Sequence, residues 1–163
     1  MVRALEVLAD VGTAGKRIGA GFALIIRVFE ARDTDDVIAL WRQAFPEYAV
    51  PGKPHRDPRL SIANKLAMQP ELFFVGVQDE RLIGTVMAGY DGHRGWMYSL
   101  AVAEDARGHG HARALVERAE TALKQLGCPK LNLQIMANKP EIQEFYAKLG
   151  YHVDEVISLG KRL

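Results

Sequence analysis

Hydrophobic and polar positions along the chain follow two periods, one typical of strands and one typical of helices. Apolar and β-branched residues fill 22–29, which predicts a first strand. A helix is predicted to follow from Asp33 or Thr34, because acidic residues suit the positive start of a helix and the apolar residues beyond them recur at helical spacing. Those apolar residues are Val37, Ile38, Leu40, Trp41 and Phe45.

The middle of the chain predicts a loop, a short helix and three strands. Four prolines and one glycine in 46–58 indicate the loop. Asp57 is the predicted N-cap residue and Pro58 the proline in the first turn of a short helix that runs to Met68. The elements predicted next are a strand over 72–77, a polar turn over 78–81, and strands over 82–90 and 96–102. Between the last two strands, Asp91-Gly92-His93-Arg94-Gly95 is a strong hairpin signal.

Helical spacing returns in the last third of the chain. It is carried by Ala112, Leu115, Val116, Ala119, Leu123 and Leu126. A helix is therefore predicted from His109 or Gly110 to Leu126, ended by Gly127. A fifth strand is predicted over 131–135, a short helix over 140–149 and one or two terminal strands over 151–159. The order β-α-α-β-β-β-α-β-α-β predicts an α/β sheet of mixed direction.

Length and composition predict one globular domain. A chain of 163 residues with 48% hydrophobic and 25% charged residues is long enough to bury its own core. We assign this domain to 22–163 and interpret 1–21 as an N-terminal extension, with disorder left open. Glu6 and Asp10 interrupt the apolar positions of that extension, which argues against a signal peptide.

Charge and cysteine content exclude several classes of protein. The formal net charge is +1 and the 21 basic residues are scattered, which argues against nucleic-acid binding and against electrostatic attachment to a membrane. The longest apolar run, 18–26, is too short to span a bilayer. Cys128 is the one cysteine, so no intrachain disulfide can form and we expect a cytoplasmic location.

The segment between the strand 96–102 and the following helix carries the strongest chemical signal. It reads Arg107-Gly108-His109-Gly110-His111-Ala112. The small side chains of Gly108, Gly110 and Ala112 let a ligand approach the backbone, and unpaired N–H groups at a helix start suit a pyrophosphate. Arg107 adds a planar donor fork for a phosphate. A plain glycine turn remains the alternative; neither the P-loop nor the dinucleotide-binding glycine pattern fits.

His109 and His111 stand two positions apart at this helix start. A metal site is disfavoured because no cysteine or carboxylate lies at ligand spacing from them. We therefore expect no metal cofactor. We expect both imidazoles to face solvent and to add partial positive charge near a phosphate.

Two separated motifs resemble the signatures of the GNAT superfamily, the Gcn5-related N-acetyltransferases. The segment Arg107-x-x-Gly110-x-Ala112, placed after Leu100-Ala101-Val102, is similar to the acetyl-CoA signature, and Phe145-Tyr146-x-x-x-Gly150-Tyr151 resembles the second signature. Residues 84–95 and 158–163 are similar to the bacterial YpeA-like branch. The resemblance covers about 25–163.

This resemblance implies a fold and a set of roles. The fold is a mixed, mostly antiparallel sheet of six to seven strands, with strands 4 and 5 splayed apart and about four flanking helices. The backbone of Leu100, Ala101 and Val102 would bind the pantetheine arm of acetyl-CoA and polarise the thioester. The backbone over 107–112 would bind the pyrophosphate, and Tyr146 would protonate the departing thiolate.

Some family positions are occupied differently in this chain. An asparagine that contacts the cofactor arm in many members is replaced by Lys139, with Asn138 one place earlier; Asn138 either restores the contact or caps the helix. Gln134 stands where some relatives carry a glutamate that serves as general base, so the base is unassigned. The polar candidates for that role are Asp91, His93 and Glu47, for which a solvated turn is the stronger interpretation. Tyr48 and His55 are weak candidates for acceptor contact, whereas Trp41 and Phe45 are interpreted as core.

The resemblance implies transfer of an acetyl group from acetyl-CoA to a primary amine of a small molecule or a peptide, by direct attack in a ternary complex. The alternatives are a noncatalytic acyl-CoA-binding sensor and transfer of a different acyl group. The expected partners are acetyl-CoA and an unidentified amine, with no nucleic acid and no membrane, and a homodimer is left open.

Overall fold

The computed structural model describes residues 23–46 and 57–161 of the chain. The elements are β1 (Ile25–Val28), α1 (Thr34–Ala44), α2 (Pro58–Ala67), β2 (Phe73–Gln78), β3 (Arg81–Tyr90), β4 (Gly95–Val102), α3 (His111–Gln125), β5 (Leu131–Asn132) and α4 (Pro140–Ala147). Short 3-10 turns lie at Ala31–Asp33, Pro70–Leu72 and Glu104–Ala106. The predicted order of elements is confirmed as far as α4. The predicted extension 1–21 lies outside the described residues.

The five described strands form one sheet in the order β1-β2-β3-β4-β5. Neighbouring strands are antiparallel except for β4 and β5, which run parallel. The predicted mixed, mostly antiparallel sheet and the predicted number of about four helices are therefore confirmed. The described residues separate into two compact units, the first ending at Leu133 and the second beginning at Gln134.

Helices α1 and α2 cover one face of the sheet in the first unit. Phe73 of β2 and Met87 of β3 are fully buried there against Trp41 of α1 and Ile62 of α2. The ring of Phe29 stacks on that of Phe73, with 4.4 Å between the ring centroids. Trp41 is thus a core residue, as its spacing predicted, and this core holds α1 against β3 and β4.

Helix α3 covers the opposite face. A Cβ built on Gly76 of β2 or Gly84 of β3 would meet the Leu115 side chain of α3, at 3.7 Å and 2.7 Å respectively. Because side chains alternate between the faces of a strand, these glycines point away from Phe73 and Val75. They let α3 approach the sheet closely, and this approach places the start of α3 beside the end of β4.

The capping prediction for α2 is confirmed in detail. Asp57 precedes the helix, and its side chain accepts hydrogen bonds from the backbone N–H groups of Arg59 and Leu60. Pro58 occupies the first turn, where it has no N–H to lose.

The prediction of six to seven strands is wrong for the residues that the structure describes, which form five. The fifth strand, predicted over 131–135, consists of Leu131–Asn132 alone, and no strand is formed over 151–161. Apolar residues suggested the terminal strands, but a strand also needs a neighbour for its backbone hydrogen bonds. Val153, Val156, Ile157 and Leu159 are instead exposed. None of the helices in the described part of the chain has the length and apolar character to cross a bilayer.

Candidate functional site

A tight connection joins the end of β4 to the start of α3. Ala106 anchors it because its side chain is buried. Gly108 and Gly110 have φ angles of +80° and +81°, in the left-handed region where a side chain is strained. Glycine therefore suits these two positions, where the chain turns from the strand into the helix. This geometry agrees with the plain glycine turn that the sequence leaves open, and the role of the glycines in binding a ligand stays a prediction.

The start of α3 is free of side-chain caps. Helix α3 begins at His111, and Gly110 at its N-cap makes no side-chain hydrogen bond to the first turn. The N–H group of Ala114 is the first to bond within the helix, to the Gly110 carbonyl at 3.0 Å. The N–H groups ahead of it carry the positive end of the helix dipole, which is the arrangement that binds anions.

Arg107 ties this connection back to the strand. Its Nε donates a hydrogen bond to the Val102 carbonyl at 3.2 Å, while the side chain stays exposed. The guanidinium group therefore lies beside the end of β4, close in sequence to the two positive-φ glycines.

The prediction that both histidines face solvent is confirmed for His109 and wrong for His111. His111 is only 5% exposed, and its Nδ1 has no hydrogen-bond partner among the described residues. Burial, together with the nearby His109, lowers the pKa of His111, which favours the neutral form of the ring. The pattern contained the signal, because His111 begins the four-residue spacing that continues at Leu115 and Ala119 on the buried face of α3.

Strand β4 contains a bulge that the sequence pattern did not predict. Two pairs flank it, Thr85 with Ala101 and Met87 with Tyr98. Over that stretch β4 has one residue more than β3. Ser99 lies in the bulge with a φ of +54°, which residues other than glycine seldom adopt. A bulge of this kind reverses the edge of the strand to which the backbone N–H and C=O groups of the following residues point.

Beyond the bulge, one edge of β4 pairs with no strand among the described residues, and we call it the open edge of β4. Among the described residues β4 pairs with β5 only at Gly95 and Trp96. On its other edge, the Ala103 N–H donates to a carbonyl of β3 at 2.8 Å. Polar groups of successive residues point to opposite edges of a strand, so those of Leu100 and Val102 point away from β3. These are the two residues whose backbone the resemblance assigns to the pantetheine arm.

The second unit contains Tyr146, near the end of α4. Gly150 adopts a φ of +91°, and the Tyr151 N–H donates to the Tyr146 carbonyl at 3.1 Å. This turn brings the Tyr151 ring edge-on to the Tyr146 ring, with 5.3 Å between the centroids. Tyr146 is 8% exposed, and burial raises its pKa. The motif thus has a physical role, since the glycine allows the second tyrosine to hold the first in place.

Other positions of the second unit give mixed outcomes. Lys139 is the N-cap residue of α4, so the interpretation of Asn138 as its cap is wrong. Asn138 is exposed before the helix. Gln134 donates a hydrogen bond to the Ser158 hydroxyl at 2.7 Å, and an amide cannot act as a general base.

The candidate bases of the first unit fall into two groups. Asp91 accepts hydrogen bonds from the N–H groups of Arg94 and His93, both at 2.7 Å, and these bonds lower its pKa. Asp91 is therefore a hairpin residue and a weak base, while His93 is exposed in the same turn. Glu47, the third candidate base, lies outside the described residues. The candidates for acceptor contact, Tyr48 and His55, lie outside them as well.

Comparison with known proteins gives consistent matches in sequence and in structure. The family model described as the acetyltransferase (GNAT) family matches residues 34–151. An acetyltransferase of Yersinia enterocolitica is 44% identical over 138 residues, which is 85% of this chain and 94% of that relative.

Two solved structures are similar in fold at low sequence identity. Aminoglycoside N-acetyltransferase AAC(6')-Iy in complex with CoA is 19% identical with a TM-score of 0.69, covering 90% of this chain and 100% of that one. The PaiA N-acetyltransferase from Thermoplasma acidophilum in complex with coenzyme A is 17% identical with a TM-score of 0.67, covering 82% and 92%.

Proposed function

The chain belongs to the acetyltransferase (GNAT) family, and from that premise we propose that it transfers the acetyl group of acetyl-CoA to a primary amine. The amine attacks the thioester directly while both substrates are bound. The acceptor is a small molecule or an exposed amine of a peptide.

The connection between β4 and α3 is the observation that carries this proposal. Its positive-φ residues Gly108 and Gly110 leave the backbone uncovered, and the uncapped start of α3 presents N–H groups to an anion. The open edge at Leu100 and Val102 precedes it in the chain. A strand edge followed by an anion site suits a ligand with an amide-containing arm and a pyrophosphate, which is the chemistry of acetyl-CoA.

The acceptor class is supported by the chemistry of the structural neighbours. Two of them are named N-acetyltransferases, and their complexes contain coenzyme A. Their likeness to this chain is one of fold. The reaction in their names favours nitrogen as the accepting atom and does not select one amine. The net charge of +1 selects neither a small cation nor a peptide.

The proposed reaction needs one proton donor and one proton acceptor. The amine nitrogen forms a bond to the acetyl carbon, the carbon–sulfur bond breaks, and the departing thiolate takes a proton. We assign that proton to Tyr146, whose raised pKa keeps its hydroxyl protonated at neutral pH. The amine binds in its neutral form, and the proton that its nitrogen loses as the amide forms passes to water. Tyr146 regains a proton from solvent after the coenzyme A thiol has left.

Backbone donors at the open edge of β4 supply electrostatic stabilisation in this scheme. The N–H groups of Leu100 and Val102 point to that edge, where they polarise the thioester carbonyl as negative charge develops on its oxygen. Transfer of a longer acyl group is the alternative within the same chemistry, and the space available beyond Leu100 would decide it.

An acceptor screen that follows the release of free coenzyme A tests this function. Small amines and peptides are offered with acetyl-CoA, and propionyl-CoA is run in parallel to test the acyl group. We expect release that depends on one class of amine and yields the N-acetylated product. Tight acetyl-CoA binding without release for any amine indicates a sensor, and faster release from propionyl-CoA indicates a different acyl group.

A further inference from the structure

A buried chain of hydrogen bonds connects α1 through β3 to the bulge of β4. Trp41 Nε1 donates to Thr85 Oγ1 at 2.8 Å, and Thr85 Oγ1 donates to the Ser99 carbonyl at 3.0 Å. The side chains of Trp41 and Thr85 are both fully buried. A hydroxyl at this depth is retained only with partners, because burying it unbonded is costly.

The Thr85 hydroxyl is well suited to hold a bulge in one geometry. It has one proton, and the indole N–H of Trp41 occupies an acceptor position on the same oxygen, so the proton is directed to the Ser99 carbonyl. Ser99 itself lies in the left-handed region at a φ of +54°, which must be stabilised by its surroundings. The hydrogen bond to its carbonyl provides such stabilisation.

The bulge decides which residues of β4 face the open edge. The Gly95 N–H donates to the Lys130 carbonyl on the β5 side at 2.8 Å. In a strand without a bulge, the backbone N–H and C=O groups of every second residue after Gly95 would point to this same edge. Those residues would include Ser99 and Ala101. The extra residue at the bulge reverses this alternation, so Leu100 and Val102 reach that edge instead.

We propose that Thr85, oriented by Trp41, is a positioning residue that fixes the β4 bulge and thereby aims the Leu100 and Val102 backbone at the thioester. The inference rests on the proposed function, because it needs acetyl-CoA at the open edge of β4. Thr85 lies on the α1 face of the sheet and acts through the Ser99 carbonyl, so it touches neither substrate.

Isotope-edited infrared spectroscopy of bound acetyl-CoA measures directly how strongly these backbone groups polarise the thioester carbonyl. The probe is acetyl-CoA labelled with ¹³C at the thioester carbonyl, whose stretching frequency falls when backbone N–H groups polarise it. Thr85→Val keeps the shape of the side chain and removes the hydroxyl. We expect the variant to bind unlabelled coenzyme A as the wild type does and to lose most of the lowering of the carbonyl frequency.

Three variants control the measurement. Thr85→Ser retains the hydroxyl and should restore the wild-type frequency. Thr121→Val makes the same chemical change at an exposed hydroxyl that bonds to the Glu117 carbonyl at 2.7 Å, and should leave the frequency unchanged. Trp41→Phe removes the donor that orients the hydroxyl while it keeps a ring in the core, and should lose part of the lowering.

The outcomes separate the two proposals. A wild-type protein that does not bind acetyl-CoA, or that leaves the carbonyl frequency at its value in water, contradicts the proposed function. A wild-type frequency in folded Thr85→Val overturns the positioning role alone. If Thr85→Val fails to fold, Trp41→Phe takes its place, and an unchanged frequency in that variant overturns the positioning role.

Discussion

At the scale of single residues, Tyr146 combines burial, a raised pKa and a ring contact with Tyr151. A general acid must carry its proton at neutral pH and hold one orientation. A tyrosine meets the first condition at its ordinary pKa, so the packing of its ring against Tyr151 is the property that supports the role. A tyrosine packed only for stability has no use for the hydroxyl.

Replacing Tyr146 by phenylalanine separates these two roles. We expect Tyr146→Phe to slow the chemical step by about 10²-fold, the usual contribution of a positioned acid, with unchanged affinity for acetyl-CoA. Single-turnover kinetics with the amine found in the screen measures this step. Tyr151→Phe removes the neighbouring hydroxyl as a control. Equal rates for wild type and Tyr146→Phe would remove Tyr146 from the reaction.

Lys65 on α2 gives a pH-dependent prediction for stability. The residue is 4% exposed, its Nζ donates to the Ala88 carbonyl at 2.5 Å, and burial lowers its pKa from 10.5 to about 8. Between pH 8 and 10.5 the unfolded chain therefore holds more protons than the folded chain, so this group makes the free energy of unfolding rise with pH.

The Lys65→Met variant should lose that rise. From pH 7.5 to 9.5 we expect the unfolding free energy of the wild type to gain on the order of 1 kcal/mol relative to Lys65→Met, after allowance for solvent screening. Urea denaturation at the two pH values measures the difference. Lys124→Met, an exposed change on α3, should follow the wild type; a similar slope in Lys65→Met would show that Lys65 titrates normally.

At the scale of elements, the approach of α3 to the sheet depends on a glycine of β3. A Cβ on Gly84 would lie 2.7 Å from Leu115 Cδ1 and 3.2 Å from the Ala101 carbonyl oxygen. A Cβ on Gly89, in the same strand, would meet nothing closer than 3.5 Å. The two glycines therefore form a matched pair for testing how tightly α3 packs.

We expect Gly84→Ala to lower the free energy of unfolding by about 1–3 kcal/mol, because the added methyl group must displace Leu115 or the backbone of β4. Gly89→Ala should change it by no more than about 0.5 kcal/mol. Thermal and urea unfolding measure both values. Equal stability for the two variants would mean that α3 packs more loosely than the structure shows.

The sequence predicted elements where the pattern is local and failed where the partner is distant. The Asp57 cap and the turn at Gly108 and Gly110 depend on neighbouring residues, and both were predicted correctly. The Ser99 carbonyl at the bulge accepts a hydrogen bond from Thr85, which lies 14 residues away in the chain. The alternation of apolar and polar residues in β4 contains no sign of that hydrogen bond, so the bulge of β4 was not predicted.

At the scale of the whole molecule, two turn glycines allow an effect on stability to be distinguished from an effect on binding. Gly92 lies in the hairpin between β3 and β4, and Gly108 lies in the connection between β4 and α3. Gly92 and Gly108 have φ angles of +87° and +80°, and a Cβ on either would meet no atom within 4 Å. Alanine should therefore strain the backbone by a similar amount at both positions. If the anion site lies where we propose, Gly108→Ala should weaken acetyl-CoA binding, whereas Gly92→Ala should leave it unchanged.

Most of the candidate site follows from two sequence motifs, because each motif describes one continuous turn of the backbone. The motifs left out the hydroxyl of Thr85, which depends on packing across the sheet, and the burial of His111, which the helical spacing of α3 indicates.

Titration calorimetry with acetyl-CoA tests the central claim most directly. The wild-type protein should bind one acetyl-CoA per chain with a roughly micromolar dissociation constant, Gly92→Ala should bind equally well, and Gly108→Ala should bind more weakly. A wild-type protein that shows no binding heat at millimolar acetyl-CoA would contradict the account.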